Sequence, residues 1–325
     1  MSSFPGLFVV IVNWNLKEDA LACIASVLAA GLEPGQVILV DNASEDGSVA
    51  AIRERFGSEL CVLEMETNLG FAGGNNAGIR HALTQDAEWI LLLNNDTVIA
   101  KDMAGILEAA AQKYPEYGIL APLIFYYDAP ATIWFSGHRL LPGTLLTWPV
   151  LRKNSTHAAI PPLIEVDFLV GCGVMIRREV FERVGFLDES LFMYAEETEF
   201  FWRARLAGYR LGCVTAAHMW HKVSLSASRD QPRTRYLRVR NQLWFYRQYA
   251  RGWQKLWMWL FTLARTTAVS GWDLVQRQPA LFVSSWKGFW DGWFGVKHAA
   301  STTEGMATGM ATGMANGMAN GNHPL

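Results

Sequence analysis

Residues 89–97, Trp-Ile-Leu-Leu-Leu-Asn-Asn-Asp-Thr, constrain this chain more than any other stretch. An apolar run too short for an ordinary helix, followed at once by two amides and a carboxylate, reads as a buried central strand that delivers polar groups to its carboxyl end. Three other segments repeat the pattern. Residues 7–12 run into Asn13 and Asn15, residues 37–40 into Asp41 and Asn42, and residues 61–63 lead to the Gly- and Asn-rich word 68–76. Between them lie helical patterns: residues 18–30, stopped by Gly31, and residues 49–56, for which Ser44 and Asp46 are placed to cap. Alternating β and α segments with short connections indicate a mostly parallel sheet wrapped by helices. Ligands bind such sheets beyond the carboxyl ends of the strands. Asn13, Asp41, Asn68 and Asp96 are therefore expected to converge on one crevice.

The totals narrow the class. A chain of 325 residues, 51% hydrophobic, can bury one large core or two modest ones, and a formal charge of −2 argues against nucleic acid as partner. Cys23, Cys61, Cys172 and Cys213 are far apart and never spaced C-x-x-C, so neither a zinc site nor a disulfide framework is indicated, and a reducing, cytoplasmic compartment fits. The first apolar run lacks a basic flank and a small-residue cleavage site, which makes it a strand rather than a signal peptide.

Further along, residues 102–113 read as a helix and 118–125 as a strand, while 126–162 mixes Pro, Gly, Thr and aromatics and is expected to form a hairpin or substrate-covering loops. Strands are expected over 166–170, 174–176 and 210–214, and helices over 178–184 and 194–205. Residues 237–294 carry Trp and Arg at helical spacing, and 301–322 repeat Gly-Met-Ala-Thr/Asn, a composition expected to be disordered. The expected organisation is an α/β catalytic domain over 1–230, a Trp/Arg-rich helical region over 231–298 and a low-complexity tail over 299–325.

Several residues carry chemistry, each with a plainer alternative. Asp96 is either a turn or cap residue or a ligand for Mg²⁺ or Mn²⁺ beside a nucleoside diphosphate, since such hard cations take one or two carboxylates and leave room for phosphate oxygens. Asp41 either caps or accepts from a base N–H, with Asn13, Asn15 and Asn42 lining the nucleoside pocket. Word 68–76 is either a tight turn or an anion cradle at a helix N-terminus; its spacing matches neither the dinucleotide nor the P-loop pattern. Glu196, Glu197 and Glu199 complement a helix dipole, yet one of them, placed over a hydroxyl, serves as general base. Glu196 and Glu197 diverge by about 100° on a helix, so at most one aims squarely into a shared cleft. Arg203 and Arg205 are within reach to pair with Glu199. His221 follows a strand and is placed to reach a metal at Asp96, with His218 as competitor.

Taken together, the words IVNWN (11–15), VDNASEDGS (40–48), NLGFAGGNNAGI (68–79), LLLNNDT (91–97), the stretch 171–210 and HKVSLS (221–226) resemble the family 2 inverting glycosyltransferases. The resemblance implies a GT-A fold with a C-terminal helical extension. It implies a nucleotide sugar bound by Asn13, Asn15, Asp41, Asn42, Asn68, Gly70, Gly73, Asn76, Asn94 and Asn95, and Mg²⁺ or Mn²⁺ at Asp96 and His221. Asn94 stands where the first Asp of a D-x-D motif often stands. The catalytic base of the family sits in an E-D pair, here Glu196-Glu197, and by register Glu197 takes the Asp place, with Glu196 second. The Q-x-x-R-W word of processive members is missing, and Arg240-Asn241 looks like the RN word of rhamnosyltransferase-like members.

The expected function is therefore a non-processive hexosyltransferase of cell-wall or lipopolysaccharide biosynthesis. It moves L-rhamnose from dTDP-L-rhamnose to a hydroxyl of a cell-surface polysaccharide or a lipid-linked acceptor, with UDP-hexoses and galactofuranose as other donors. The rivals are a nucleotidyltransferase and a non-catalytic sugar-nucleotide binding module. For residues 253–265 two placements compete: an in-plane helix at the inner face of the membrane, or a helix packed on the catalytic domain or on a partner in a homodimer.

Overall fold

The computed structural model describes residues 4–151, 160–223 and 232–295. The repeat tail 301–322 and residues 224–226 of the HKVSLS word lie outside the described residues. The chain opens with β1 (Leu7–Asn13), α1 (Lys17–Ala29), β2 (Val37–Asp41), α2 (Ser48–Phe56), β3 (Cys61–Glu64), α3 (Gly70–Thr84) and β4 (Trp89–Asn94). Then come β5 (Thr97–Ile99), α4 (Met103–Lys113), β6 (Tyr117–Tyr126), β7 (Ile133–Phe135), β8 (His138–Leu140), β9 (Thr147–Pro149), β10 (Leu163–Val166) and β11 (Gly173–Arg177). Helices α5 (Arg178–Val184) and α6 (Glu196–Leu206) precede β12 (Arg210–His221), and α7 (Pro232–Tyr249), α8 (Trp253–Val275) and α9 (Pro279–Phe294) follow it.

The main sheet runs β10-β12-β6-β11-β4-β1-β2-β3, with β5 added to β12 and β7 to β6. β1 is parallel to β2 and β4, while β11 is antiparallel to both β4 and β6. The central strands are apolar on both faces because both faces are covered. Ile90 and Leu92 enter one core cluster with Val10, Ile38 and Val40, whereas Leu91 and Leu93 enter the other with Val9, Ile11 and Leu39. Burying each such side chain contributes about 1.5–3 kcal/mol, which fixes the register and with it the level at which the polar strand ends emerge.

Three local expectations are corrected. The strand expected over 210–214 continues to His221, with a register shift between Val214 and His218. The strand expected over 166–170 stops at Val166, because the Asp167 carboxylate accepts from Leu140 N at 2.7 Å and pairs with Arg205 at 2.5 Å. Ser44 does not cap α2: its hydroxyl accepts from Asn15 N at 3.0 Å and from Asn13 Nδ2 at 3.2 Å, and Gly47 (φ 77°) occupies the cap. Asp46 does serve the start of α2, its Oδ1 accepting from Ser48 N at 3.0 Å, while its Oδ2 accepts from Lys17 N at 2.9 Å at the start of α1. Within 126–162 the hairpin reading holds, as β8 and β9 pair antiparallel.

The C-terminal helices pack closely where side chains are absent. A Cβ at Gly292 of α9 would lie 2.7 Å from the Arg240 carbonyl of α7. No described helix is long and apolar enough to cross a membrane.

Candidate active site

The pairings Asn13↔Asp41 and Val12↔Asn94 bring the polar ends of β1, β2 and β4 to one level. Asn13, fully buried, donates from Nδ2 to Asp41 Oδ1 at 2.9 Å and accepts at Oδ1 from Asn95 Nδ2 at 2.7 Å. Asp41 Oδ2 accepts from Ser44 N at 2.8 Å. Asn42 donates to the Gly70 carbonyl at 3.0 Å, and its buried Oδ1 has no hydrogen-bond partner among the described residues. Asn15 Oδ1 accepts from Glu45 N at 2.7 Å. The structure thus brings Asn13, Asp41, Asn42 and Asn95 into one hydrogen-bonded group, with Asn15 at its rim through Ser44.

The Gly/Asn word is used for close packing. Asn68 Oδ1 accepts from Gly70 N at 2.8 Å, and Gly70 has φ +73° with the Phe192 carbonyl 2.5 Å from where a Cβ would sit. Only glycine combines that conformation with that approach. Gly73 lies against Leu69, while Asn76 donates to the Leu187 carbonyl and Glu189 Oε1, both at 2.9 Å, and accepts from Leu187 N at 3.1 Å. Asn76 therefore ties α3 to the 187–189 turn.

Asp96 and His221 meet through a strand pairing that sequence periodicity does not reveal. β5 pairs antiparallel with the end of β12, Thr97 opposite His221, and Lys222 N donates to the Asp96 carbonyl at 2.9 Å. His221 Nε2 then lies 3.2 Å from Asp96 Oδ1, both side chains being buried. The imidazole is held edge-on by Trp134, whose ring centroid is 4.5 Å away, and its Nδ1 is buried with no hydrogen-bond partner among the described residues. His218, the competitor, bonds the Thr215 carbonyl at 3.0 Å within its own strand. Among the described residues no three His, Cys, Asp or Glu side chains cluster as a complete metal site. One carboxylate and one imidazole suit Mg²⁺ or Mn²⁺ only where phosphate oxygens complete the coordination. Asn94 ends β4 with its backbone N–H on the Cys172 carbonyl at 3.1 Å.

The carboxylate pair is presented by a turn in unusual backbone conformation. Phe192, Tyr194 and Ala195 have φ of +63°, +71° and +69°, and α6 begins directly after them. Glu196 is buried, and Glu197 lines a cavity of about 380 Å³ together with Phe168, Leu169, Arg238, Phe245 and Arg265; a hydrogen bond joins the two carboxyls, so they do not diverge as expected on a helix. Burial pushes the Glu196 carboxyl well above the usual range, and the adjacent Glu197 charge adds to this. Burial raises Glu197 too, while a hydrogen bond from Glu196 favours its ionised form. Both carboxyls are thus held above the ordinary carboxylate range by burial, and the hydrogen bond between them ties their titrations together. Glu199 is structural: it receives Arg203 Nε at 2.8 Å and the Tyr249 hydroxyl at 2.6 Å.

Gly171-Cys172 links the two halves. A Cβ at Gly171 would lie 3.5 Å from Glu197 Cβ, and burial pushes the Cys172 thiol well up with help from the charges of Asp96 and Glu197. Asp96 and Glu197 therefore act on one sulfur from within Coulomb range, although neither Asp41 nor Asp96 lines the Glu197 cavity. Trp134, in a stretch without a period, carries no sequence signal; Asn241, noted in the sequence only within the Arg240-Asn241 word, sits as an amide in the buried stripe with Leu237 and Trp244.

The mixed, mostly parallel sheet carries polar strand ends, a buried Asp–His pair and an acidic helix start, and comparisons with known proteins give the class to which this arrangement belongs. The glycosyl transferase family 2 model matches residues 8–185, and the chain belongs to that family. It is 28% identical over 247 residues to the low-salt glycan biosynthesis hexosyltransferase Agl10 of Haloferax volcanii, covering 73% of this chain and 74% of that protein. It is 27% identical over 249 residues to the N-acetylglucosaminyl-diphospho-decaprenol L-rhamnosyltransferase of Mycobacterium tuberculosis, covering 68% and 78%. A crystal structure of GalNAc-T7 with UDP, GalNAc and Mn²⁺ superposes with TM-score 0.54 at 18% identity, over 74% of this chain and 49% of that one. The fold is the expected GT-A arrangement and the chain is a glycosyltransferase, which sets the nucleotidyltransferase alternative aside.

Proposed function

We propose that this enzyme transfers L-rhamnose from dTDP-L-rhamnose to a hydroxyl of a glycan or lipid-linked acceptor, with inversion at the anomeric carbon. The observation that carries this reading is the position of Glu197: a half-buried carboxylate beside a cavity, against Gly171 and near enough to Cys172 that its charge and that of Asp96 both act on the thiol. The rhamnosyl donor is supported by the mycobacterial relative.

Donor binding is assigned to the strand ends. Asp41 accepts from the base N–H, the unpartnered Asn42 Oδ1 accepts a further donor, and Asn13 and Asn95 hold both in place. Asn68, Gly70, Gly73 and Asn76 act by bringing α3 against the 187–192 segment, which closes the sugar side. Asp96 and His221 would hold Mg²⁺ or Mn²⁺, and that cation, when bound, neutralises charge on the departing diphosphate.

Glu197 takes the proton from the acceptor hydroxyl. That oxygen forms the new bond to the anomeric carbon as the bond to the diphosphate oxygen breaks, and the bond pair leaves with dTDP. Glu196, holding its own proton, keeps Glu197 oriented and ionised. The acceptor is met at a membrane surface: α8 packs Met258, Thr262, Thr266, Ser270 and Asp273 inward, yet leaves Trp253, Leu256, Trp257 and Leu260 exposed on its outer side.

The test is a thermal-shift panel of nucleotide sugars with Mn²⁺, repeated on Asp96→Ala. With ligand at about 100 times Kd the stabilisation is about 2.7 kcal/mol. dTDP-L-rhamnose is expected to raise Tm for the wild type and to lose most of that effect in the variant. A panel in which no sugar nucleotide shifts the wild type, or in which the variant responds equally, sinks the proposal.

A further inference from the structure

The cavity beside Glu197 holds two positive charges that the mechanism does not use. Arg238 of α7 and Arg265 of α8 both line it, and Glu197 is the only carboxylate among the residues lining it. Arg265 donates only to the neutral Gln242 Oε1, at 3.1 Å, and Arg238 lies over the Tyr194 ring at 4.7 Å. Among the described residues neither has a carboxylate partner. Arg203, Arg205 and Arg235 are paired with Glu199, Asp167 and Asp273, whereas Arg240 and Arg247 donate to backbone carbonyls and, for Arg240, to Asn241. Two exposed guanidiniums at a cavity with Glu197 as its one carboxylate leave a net positive charge there, a site for an anion, and their planar forks match phosphoryl oxygens.

The lining names the rest of the ligand. Phe135, Phe168 and Phe245 line the same cavity, so an apolar group is accommodated beside the charges. Arg265 also stands on the helix whose other residues Trp253, Trp257 and Leu260 face outward. We infer that Arg238 and Arg265 bind the diphosphate of a lipid-linked acceptor, whose sugar hydroxyl is thereby presented to Glu197. This rests on the glycosyl-transfer reading above and adds the acceptor class and the residues that select it. The donor's diphosphate is a separate group, at Asp96 and His221, so the two anions do not compete for one site.

Binding is measured by calorimetry on the full chain in EDTA, with geranyl diphosphate as probe and geraniol and inorganic pyrophosphate as comparators. Geranyl diphosphate is expected to bind at least about ten-fold more tightly than either comparator, because each has only one of the two recognised parts. Arg238→Gln and Arg265→Gln are each expected to weaken it by about ten-fold and the double variant further, the loss of one charge-assisted contact apiece. Arg→Lys at either position is expected to restore part of the affinity. Asp96→Asn is expected to leave it unchanged. Wild-type affinity in the double variant, equal binding of geraniol or pyrophosphate, or loss of binding in Asp96→Asn would each overturn the assignment. The nucleotide-sugar thermal shift, run on the same double variant, is expected to persist. Its absence in the wild type counts against the transferase mechanism and leaves the lipid-diphosphate result readable by itself.

Discussion

Asn241 donates from its side-chain amide to the Tyr194 carbonyl at 2.9 Å, and to the Leu191 and Met193 carbonyls at 2.8 Å each. The residue is fully buried on α7, nearly fifty positions beyond the turn it grips. That turn holds three non-glycine residues at positive φ, each costing about 1–3 kcal/mol unless its surroundings impose it. Arg240 adds a contact to the Ser190 carbonyl at 3.4 Å. A C-terminal helix therefore constrains the turn that precedes Glu196 and Glu197.

Asn241→Ala is expected to leave these carbonyls without their donor, costing about 1–3 kcal/mol of stability. Misplacing Glu197 by a fraction of an ångström is expected to lower kcat by about 10- to 100-fold with donor KM unchanged. Steady-state kinetics on the folded variant decide. A wild-type kcat would remove Asn241 from the positioning of the base, and a raised donor KM would place its effect on the donor side.

Glu197→Gln keeps shape and removes the proton acceptor, so kcat is expected to fall by about 10²- to 10⁴-fold. Glu196→Gln still donates to Glu197 and is expected to retain most of the rate. Because burial raises the Glu197 pKa, the fraction able to accept a proton is lost as pH falls, at a pH above the ordinary carboxylate range. The acid limb of kcat/KM is accordingly expected there. Comparable losses in both variants would mean that the pair acts as one base.

The same burial makes stability depend on pH. The folded state keeps the Glu196 proton where the unfolded chain, with a pKa of about 4.3, has released it. This contribution is fully present below the unfolded pKa and is lost as pH rises through the raised folded value. Glu196→Gln has no proton to lose, so its Tm is expected to exceed that of the wild type at alkaline pH, with the gap closing toward acid. Parallel Tm curves across that range would contradict the assigned proton.

Much of this was legible in the chain, and the reasons for the rest are local. β1, β2 and β4 announce themselves because strands covered on both faces are apolar without alternation, and their polar ends name Asn13, Asp41 and Asp96 directly. The meeting of Asp96 with His221 was not readable as geometry, since it depends on β5, three residues long, and on a β12 whose pattern breaks at the irregularity after Val214. Ser44 has the residue type of a cap, but its hydroxyl is claimed by residues from another strand end. The positive φ values at Tyr194 and Ala195 have no sequence mark at all, because the conformation is imposed from α7.

Membrane contact gives the last prediction. The exposed charges on α8 and α9 are Lys255, Arg265 and Lys287, with Arg277 exposed between the two helices, whereas Asp273 is paired with Arg235 and Asp291 accepts from the Tyr236 hydroxyl at 2.8 Å. A face with Trp257, Leu260 and Trp272 exposed and only positive charges around it matches an anionic lipid surface. Each basic residue near such a surface contributes about 1 kcal/mol, screened by salt, and each inserted large apolar side chain adds about 1.5–3 kcal/mol. The full chain is expected to float with phosphatidylglycerol vesicles, to float poorly with phosphatidylcholine vesicles, and to be released in part by high salt. The double substitution Trp257→Glu and Leu260→Glu, at exposed positions where folding is not at stake, is expected to lower the bound fraction by at least about ten-fold. If the wild type stays with the soluble fraction and sediments as a dimer that the same substitutions dissociate, the face belongs to a second copy of the chain and the lipid assignment fails.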